Sequence, residues 1–509
     1  MSKLFPLTVY INTILIAIVS LYLFIAPIFL LNLYFQELNA ASEAIPSFVF
    51  QWHRTLSAGF ETWARQRIIS EKAKHLSLQN IAETEWPIFS AVFYLWSAQS
   101  LQTAWELHPK LFAVQPVEYA HGAIKAAAAL ISDPKQAEWV QKHWGQNYLE
   151  RENLFYRMLL INGLTIYQRL SKDRFYEPLL KDQVESLAAE IDQSPYGLLD
   201  DYPGQCYPID IVPAIAGILR ADAVLGTNHS QFAARAIRGF EGSRLDDATQ
   251  LPAYVADSKT GLGIGPARGV GIAFMLIWAQ ELWPETASRW YASYEKHFWQ
   301  DGRMLVGVRE FSRHASRSFE NWSFSDVDAG PVLAGYGSVA SAFGIGAARA
   351  NGRLDQAYSL SAEALLASWP LLDGTFLIPR MLSVFPDAPY VGEAILLFNF
   401  TRQPGSETVL SERRELPLVI YLGLALYLSA GLLCISSGIG AVRRWRNQSL
   451  AAEITIVQRI LLSLKILICF SGVISAFFVN PFFGLLLLFI AQEFSIKRIA
   501  RKTDDNKVK

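Results

Sequence analysis

The chain has 509 residues, of which 51% are hydrophobic, a formal net charge of −1 and a mean hydropathy of +0.20. This composition is too apolar for a purely soluble protein, and the near-neutral charge excludes the basic footprint of a nucleic-acid-binding protein. With only three cysteines, a disulfide framework is excluded as well.

Three windows without charged residues carry the apolar excess: 8–34, 416–442 and 466–492. Each holds 27 residues, whereas about 20 suffice for a helix that spans a bilayer. The first window is too long for the apolar region of a signal peptide, and no small-residue cleavage site follows it cleanly. The sequence therefore predicts an uncleaved transmembrane anchor over 1–34 and a transmembrane helix over 416–442.

Basic residues follow the second window within 443–446 and the third within 497–502. Positively charged flanks stay on the cytoplasmic side, so 443–459 is predicted to be a cytoplasmic loop and 497–509 a cytoplasmic tail. The segment 460–496 must then cross out and back as a hairpin that turns at Asn480-Pro481, with one tilted span as the alternative. With Lys3 inside, we expect a multi-pass protein of the cytoplasmic (inner) membrane whose domain 35–415 lies on the exterior, periplasmic side.

Apolar residues recur at helical spacing through most of 35–415, and few segments alternate with the period of a strand. The sequence therefore predicts an all-α domain. Helices that begin near 153, 209, 269 and 331 are apolar nearly all round, as helices buried on every side are, and amphipathic helices separate them. The predicted helices are 87–107, 118–130, 153–170, 176–191, 209–225, 231–240, 269–282, 285–298, 330–350 and 354–367.

The alternation of buried and amphipathic helices over about 83–402 resembles the (α/α) toroid of the six-hairpin glycosidases. The linalool dehydratase/isomerase family shares this toroid, and a looser resemblance to it rests on Cys206 and Asp210, a cysteine and an acid at the mouth of an inner helix. That family has a second cysteine further along its motif, which this chain lacks. The resemblance implies an (α/α) toroid-like exterior domain with N- and C-terminal transmembrane helices.

Polar residues cluster in the loops that enter the predicted inner helices, most densely in 200–210 and 321–331. Helix N-termini offer unpaired N–H groups and positive potential, and the toroid would bring these loops to one face. The candidate catalytic residues are Asp328, Asp210, Asp326 and Glu310. The candidate substrate-binding residues are Tyr202, Gln205, Cys206, Tyr207, Arg268, Arg309, Trp322, Trp86, Asp201 and Asp257.

Plainer interpretations remain open for several of these residues. Asp210 and Asp328 could simply cap their helices, and Cys206, with no histidine nearby in sequence, could be a packed side chain and not a nucleophile. The histidines show no zinc-ligand spacing, and the glycine-rich stretches follow no predicted strand. The sequence therefore predicts no metal and no cofactor.

The residue inventory favours a membrane-tethered envelope enzyme that acts on a carbohydrate, by hydrolysis or by elimination, with carboxyl groups as general acid and base. One alternative is a dehydratase or isomerase of a small alcohol. The other is a non-catalytic glycan-binding or assembly protein of the envelope. The expected partners are a carbohydrate or other small-molecule substrate, the lipid bilayer and, for the assembly role, other envelope membrane proteins; no nucleic-acid partner is expected.

Overall fold

The computed structural model describes residues 4–38, 45–76, 81–314, 322–323, 328–371, 373–384, 387–404 and 415–448, and six isolated positions between 464 and 487. It divides into two compact units. One comprises Met1–Phe29 and Leu422–Lys509, and the other comprises Leu30–Tyr421. The predicted hairpin 460–496 lies almost wholly, and the predicted tail 497–509 entirely, outside the described residues.

The described chain is mostly helical, and its strands are only two or three residues long. The α-helices are α1 (Leu4–Asn32), α2 (Ser47–Ser70), α3 (Ile81–Thr84), α4 (Trp86–Leu107), α5 (Pro116–Tyr119), α6 (His121–Ser132), α7 (Glu138–Trp144), α8 (Leu154–Ser171), α9 (Glu177–Gln193), α10 (Pro208–Leu225), α11 (Ser230–Ala236), α12 (Gly269–Leu282), α13 (Pro284–Phe298), α14 (Ser338–Ala350), α15 (Leu354–Ser368), α16 (Leu377–Val384), α17 (Val391–Phe400) and α18 (Leu418–Gln448). The strands are β1 (Val255–Asp257), β2 (Leu262–Ile264), β3 (Trp299–Asp301), β4 (Val306–Val308), β5 (Trp322–Ser323), β6 (Val332–Leu333) and β7 (Tyr336–Gly337).

Short π- and 3₁₀-helices complete the helical content: a π-helix at Leu33–Leu38, and 3₁₀-helices at Lys72–His75, Tyr148–Glu150, Ile237–Phe240 and Gly242–Arg244. All strand pairs are antiparallel. β1 pairs with β2, β3 pairs with β4, and β6 pairs with both β5 and β7.

Among the described residues, one helical stretch is long and apolar enough to cross a membrane, Leu418–Ser436 of α18, with a mean hydropathy of 2.3. The core helix of a soluble protein has similar composition but buries its side chains, whereas only 28% of this window is buried. Leu426 and Leu433, for example, are each 70% exposed. The first predicted window forms the helix α1, in which Ser20–Phe35 is a shorter apolar stretch.

Six helices form the centre of the unit Leu30–Tyr421: α4, α8, α10, α12, α14 and α17. Each packs against the next in chain order, and α17 packs back against α4, so that the contacts form a closed circuit. These helices are buried on almost every side, and α8, for example, buries all but its last three residues. Their bulky buried side chains, including Trp96 and Trp278, fill the middle of the unit.

Amphipathic helices pack outside this circuit. α6 packs against α4 and α8, α9 against α8 and α10, α13 against α12, α15 against α14, and α16 against α17, while α2 packs mainly on α6. The sequence of α9 explains its position, because its buried Leu180, Val184, Leu187 and Ile191 recur every three or four residues and form one apolar stripe. The prediction of an all-α domain is confirmed at the level of a mostly helical unit.

Most of the predicted helices are present within one to three residues of the expected bounds, but α14 begins at Ser338 and not at 330. Gly330, Ala334 and Gly335 have φ angles of +60°, +51° and +86°, which a right-handed helix does not accept. This stretch instead forms β6 and β7. The helices α2 and α17 were not among the predicted ones, although α17 closes the central circuit.

Candidate functional site

The loop that enters α10 is a tight turn fixed by its own sequence. The amide of Gln205 donates to the carbonyl of Tyr202 at 2.8 Å, and Pro203 and Gly204 occupy the two central positions. Gly204 has φ +79°, so proline followed by a left-handed glycine matches a type II turn. Asp200 accepts the amide of Gly204 at 2.7 Å. The turn therefore holds Asp201 and Tyr202 in fixed positions just before the helix.

The buried Asp201 and the half-buried Asp210 lie close together in sequence at the N-terminus of α10, Asp201 in the entering loop and Asp210 in the first turn. Asp201 is 1% exposed; its Oδ2 accepts the amide of Tyr207 at 2.6 Å, and its Oδ1 has no hydrogen-bond partner among the described residues. Burial, and then the charge of Asp210, raise the pKa of Asp201 well above its usual range. Burial, the charge of Asp328 and the charge of Glu85 raise the pKa of Asp210 to about 8. Burial and mutual repulsion therefore both favour the protonated form of these carboxyl groups.

Glu85, directly before α4, faces the same pair from another helix. The hydroxyl of Tyr202 donates to Oε1 of Glu85. Burial raises the pKa of Glu85 to about 7 against the opposing effect of that hydrogen bond. The ring of Tyr202 lies 5.2 Å from the imidazole of His143 and 6.1 Å from Phe155, measured between centroids, so one side of the acidic cluster is aromatic. Burial lowers the pKa of His143, which favours the neutral imidazole.

Asp328 completes the cluster from the segment before α14. Its Oδ2 accepts the hydroxyl of Tyr254 at 2.6 Å, and the residue is exposed. The rings of Tyr254 and Tyr207 meet edge to face at 5.5 Å. Loops before α4, α10, α12 and α14 thus bring four carboxyl groups and three tyrosines together, and we call Glu85, Asp201, Asp210 and Asp328 the acidic cluster.

Arg268 and Glu310 form a buried ion pair beside this cluster. Nε of Arg268 donates to Oε1 of Glu310 at 2.7 Å, and the Glu310 side chain is fully buried. The other carboxylate oxygen of Glu310 accepts the amide of Val270 at 3.3 Å, in the first turn of α12. The guanidinium of Arg268 lies 4.5 Å from the ring centroid of Tyr254. Glu310 therefore positions Arg268 at the edge of the site and caps a helix end.

Cys206 is fully buried and forms no disulfide. Its backbone carbonyl accepts the amide of Ala256 at 2.9 Å, which ties the turn to β1. Burial, followed by the charges of Asp201 and Asp200, raises the pKa of its thiol. The structure thus disfavours the thiolate that a nucleophilic cysteine needs.

Neither aspartate is the N-cap of its helix, but Asp210 lies in the first turn of α10, where a negative charge stabilises the helix end. The helix α14 begins at Ser338 with Gly337 at its N-cap, so Asp328 lies well before it. Asp210 is the third residue of α10, where Tyr207 is the N-cap and no side chain makes a capping hydrogen bond.

The remaining predicted residues lie apart from the acidic cluster or at its margin. Asp257 accepts the amides of Lys259 and Thr260 at 2.8 and 3.0 Å, which fixes the β1–β2 turn and lowers the pKa of its carboxyl. Arg309 donates to Gln300 at 3.0 Å and so joins β3 to the segment after β4.

Gln205 is exposed in its turn, and the half-buried Trp86 begins α4 beside Glu85. Trp322 lies in β5 opposite Leu333, and Asp326 lies outside the described residues.

Two residues of this site, Glu85 of the acidic cluster and its neighbour Tyr254, are not among the candidate residues named from the sequence. Glu85 precedes a helix that begins with Trp86-Pro87, just as Asp201 precedes one that begins at Pro208. An acid before a proline-started buried helix is a signal that could have identified Glu85. Tyr254 is one of several aromatic residues in these loops that could stack on a sugar, and its contact with Asp328, 74 residues further along the chain, brings it into the site.

Within the part of the chain that the structure describes, no group of three or more histidine, cysteine, aspartate or glutamate side chains is arranged to hold a metal ion. No family model matches the chain, and no curated protein matches its sequence.

Proposed function

We propose that the chain is a membrane-anchored enzyme of the cell envelope that acts on a carbohydrate by carboxylate general acid–base chemistry. The observation that carries this proposal is the pairing of Asp210, whose pKa is raised to about 8, with Asp328, which is exposed and hydrogen-bonded to a tyrosine. Glycoside hydrolysis requires two carboxyl groups with different roles, one that keeps its proton at neutral pH and one that is solvated.

An (α/α) toroid is the fold that best accounts for the closed circuit of α4, α8, α10, α12, α14 and α17. Glu85 and the pair Asp201 and Asp210 lie at or before the N-termini of α4 and α10, and Asp328 joins them from the segment that leads to α14. The C-terminal residues of the central helices lie together elsewhere, around one cavity. The central helices therefore run parallel, with amphipathic helices outside them, as in the inner and outer layers of a toroid.

In the proposed reaction, Asp210 protonates the leaving oxygen of the substrate, and Asp328 directs a water molecule or attacks the sugar itself. Asp201, whose pKa is raised by burial and by the charge of Asp210, holds the loop through the amide of Tyr207. The hydroxyl groups of Tyr202 and Tyr254 position the substrate. They are held in place by Glu85 and Asp328, which accept their hydrogen bonds.

The charge balance of the site favours a neutral substrate. Four carboxyl groups face it, whereas the nearby guanidinium of Arg268 is paired with Glu310 at 2.7 Å. A uronate would meet uncompensated acids, so hydrolysis of a neutral glycan is a better fit than elimination from an acidic one. The rings of Tyr207 and Tyr254 offer apolar faces against which a sugar can stack.

A second candidate function is a dehydratase or isomerase of a small alcohol. It is favoured by the tyrosine–carboxyl pair of Tyr202 and Glu85, whose carboxyl has a pKa raised to about 7, and by the aromatic wall of His143 and Phe155. A carboxyl that titrates near neutral pH can donate a proton to a leaving hydroxyl and later accept one from carbon. This reaction would release water and an alkene.

The membrane placement is part of the proposal. The outward-facing apolar side chains of Leu418–Ser436 support a span there, and basic residues directly after it support a cytoplasmic flank. Additional spans at 8–34 and 466–492 would make the protein multi-pass, with 35–415 on the exterior side.

The test is product analysis with the full-length protein in detergent, offered neutral oligosaccharides, uronate oligosaccharides and small alcohols. We expect reducing ends from a neutral glycan. The variant Asp328→Asn should lower kcat by about a hundredfold to ten-thousandfold while glycan affinity stays within a few fold. The matched control is Asp373→Asn, another exposed aspartate that accepts a hydroxyl hydrogen bond at 2.6 Å, and it should retain full activity.

Other outcomes separate the alternatives. An alkene product from an alcohol would favour the second function. Tight glycan binding without turnover by the wild type would identify a binding protein, and full activity of Asp328→Asn would remove Asp328 from the mechanism.

A further inference from the structure

A cavity of about 310 Å³ lies at the end of the central helices opposite to the acidic cluster. Its lining comes from the C-terminal parts of α4, α8, α10, α12 and α14 and from the residues that follow α17. The charged side chains in this lining are Arg169, Arg220, Arg402 and Glu281. Three positive charges against one negative charge leave an excess of two positive charges, so the cavity is basic.

Only one of these arginines has an acidic partner. Nη2 of Arg220 donates to Oε2 of Glu281 at 2.7 Å. Arg169 donates to the hydroxyl of Thr103 at 3.2 Å, and no carboxylate among the described residues pairs with Arg169 or Arg402. The cavity therefore contains two guanidinium groups whose charge the described protein leaves uncompensated.

Arg402 is 7% exposed and has one end free for a ligand. Its Nε donates to the carbonyl of Phe398 at 3.0 Å, and its Nη2 lies 2.6 Å from the hydroxyl of Ser100, 3.2 Å from that of Thr401 and 3.3 Å from the carbonyl of Trp96. Its Nη1 makes no hydrogen bond to any described residue. Gln99, which is 8% exposed and also lines the cavity, has an amide without a hydrogen bond in the described structure. A donor and an amide, each on a side chain more than nine-tenths buried, thus share one cavity.

A purely structural role explains only part of this arrangement. Helix C-termini carry negative potential and unpaired carbonyl groups, and Arg402 satisfies such a carbonyl through Nε. That role does not use Nη1 of Arg402, and it does not require Arg169 or Arg220. Burial, followed by repulsion from Arg220, lowers the pKa of Arg402 to about 9, so the two cations remain charged and repel each other at neutral pH. A bound anion would remove that repulsion.

We infer that this cavity is a binding site for a small phosphate-class oxyanion, held by Arg402, Arg220 and Arg169. Guanidinium groups donate in a planar fork that matches the oxygens of a phosphate. Three guanidinium groups that reach the cavity from α8, α10 and the end of α17 suit a tetrahedral anion better than one planar carboxylate, which a single arginine can hold. The volume is at the lower end of the range of small-molecule sites. This inference does not depend on the reaction proposed for the acidic cluster.

The probe is inorganic phosphate, and the sample is the full-length protein in detergent. We expect phosphate to bind in isothermal titration calorimetry and to raise Tm in a saturable way, whereas chloride at matched ionic strength should not. Arg169→Gln and Arg220→Gln should each weaken binding about tenfold, since each removes one charged donor. Arg169 is exposed, and its side chain donates only to a threonine hydroxyl among the described residues, so its variant should fold normally.

The control variant is Arg235→Gln, which removes a partly exposed arginine paired with Asp192 in the outer layer and should leave phosphate affinity unchanged. The inference would be overturned by an absence of phosphate binding to the wild type. An equal Tm shift in wild type, Arg169→Gln and Arg220→Gln would also overturn it, because it would show a nonspecific ion effect only.

Two further probes assign the source of the oxyanion. Glycerol 3-phosphate that competes with inorganic phosphate would support a soluble phosphate monoester. The second probe is a nanodisc that contains phosphatidic acid, with a phosphatidylcholine nanodisc as the control. If only the phosphatidic acid nanodisc abolishes phosphate binding, the ligand is the phosphate of a lipid headgroup.

Discussion

The surroundings of Asp210 raise the proton affinity of its carboxyl group. Burial and the charges of Asp328 and Glu85 raise its pKa from 3.8 to about 8. The folded protein therefore holds this proton between about pH 4 and pH 8, where the unfolded chain has lost it. Because the folded state binds more protons in that window, stability is greatest below the unfolded pKa and falls as the pH rises through the folded pKa.

The variant Asp210→Asn should remove this pH dependence. At pH 4 it should unfold at nearly the wild-type temperature, whereas at pH 9 it should be more stable than the wild type. The gain should be a few kcal/mol, since each pKa unit corresponds to about 1.4 kcal/mol. Thermal unfolding of the full-length protein in detergent across pH 4–9 measures this, and the same samples should have lost turnover at every pH.

Asp192 provides a control of opposite sign. Hydrogen bonds from Arg235 lower the pKa of its carboxyl, so its contribution to stability is present above the unfolded pKa and is lost as the pH falls. Asp192→Asn should therefore cost stability at neutral pH and retain full activity. If Asp210→Asn followed the wild-type pH profile, the proton on Asp210 would not be coupled to folding.

At the scale of the element, the turn before α10 connects backbone geometry to the site. Gly204 has φ +79° and Gly226, at the C-cap of α10, has φ +73°; a Cβ at either position would meet no atom within 4 Å. An alanine therefore costs only backbone strain, about 1 kcal/mol or somewhat more at each site. The two glycines lie at opposite ends of the same helix.

We expect Gly204→Ala and Gly226→Ala to lower stability by similar amounts but to differ in activity. Gly204→Ala should lower kcat by about tenfold or more, because the turn positions Asp201 and Tyr202 and small misplacements of a catalytic group are costly. Gly226→Ala should leave kcat unchanged. Equal activity in both variants would mean that the turn does not position the reacting groups.

The sequence was sufficient to predict helices whose apolar residues recur with a clear period, such as α9 and α13. It was not sufficient for α17, whose run Ala394–Leu397 is apolar on all sides and carries no helical period. In α2, the buried His53 and Arg67 interrupt the apolar stripe. The start of α14 was placed too early because small apolar residues continue through 330–337, and only the left-handed backbone there ends the helical pattern.

The candidate site was predicted in part for a related reason. Asp201, Asp210 and Tyr207 are close in sequence, so composition alone drew attention to them. Glu85 reaches Tyr202 across 117 residues, and Tyr254 reaches Asp328 across 74, and no local pattern encodes such pairs. Arg309 and Asp257 have the right chemistry in the right loops, but their hydrogen bonds connect strands and turns instead.

At the scale of the whole molecule, acids lie at or before the N-termini of α4 and α10, and arginines lie near the C-termini of α8 and α10 and after α17. Each sign of charge faces the helix end that attracts it, so both clusters complement the aligned dipoles. The positive potential at the N-termini partly offsets the cost of burying Asp201 and Asp210, and the negative potential at the C-termini does the same for Arg402. One arrangement of parallel helices thus supports two polar regions with opposite charge.

The last prediction concerns the sides of the membrane on which the parts of the chain lie. The segment Leu418–Ser436 has the length of one span, and arginines at 443, 444 and 446 follow it, so positions before and after α18 should lie on opposite sides. A reporter that is active only outside the cytoplasm should be active when fused after Asp301 and inactive when fused after Gln448. If the segment 460–496 is a hairpin, a fusion after Lys509 should also be inactive, whereas a single span there would make that fusion active. Activity after Gln448, or its absence after Asp301 in a fusion that is stably expressed, would contradict the exterior placement of the domain that carries the acidic cluster.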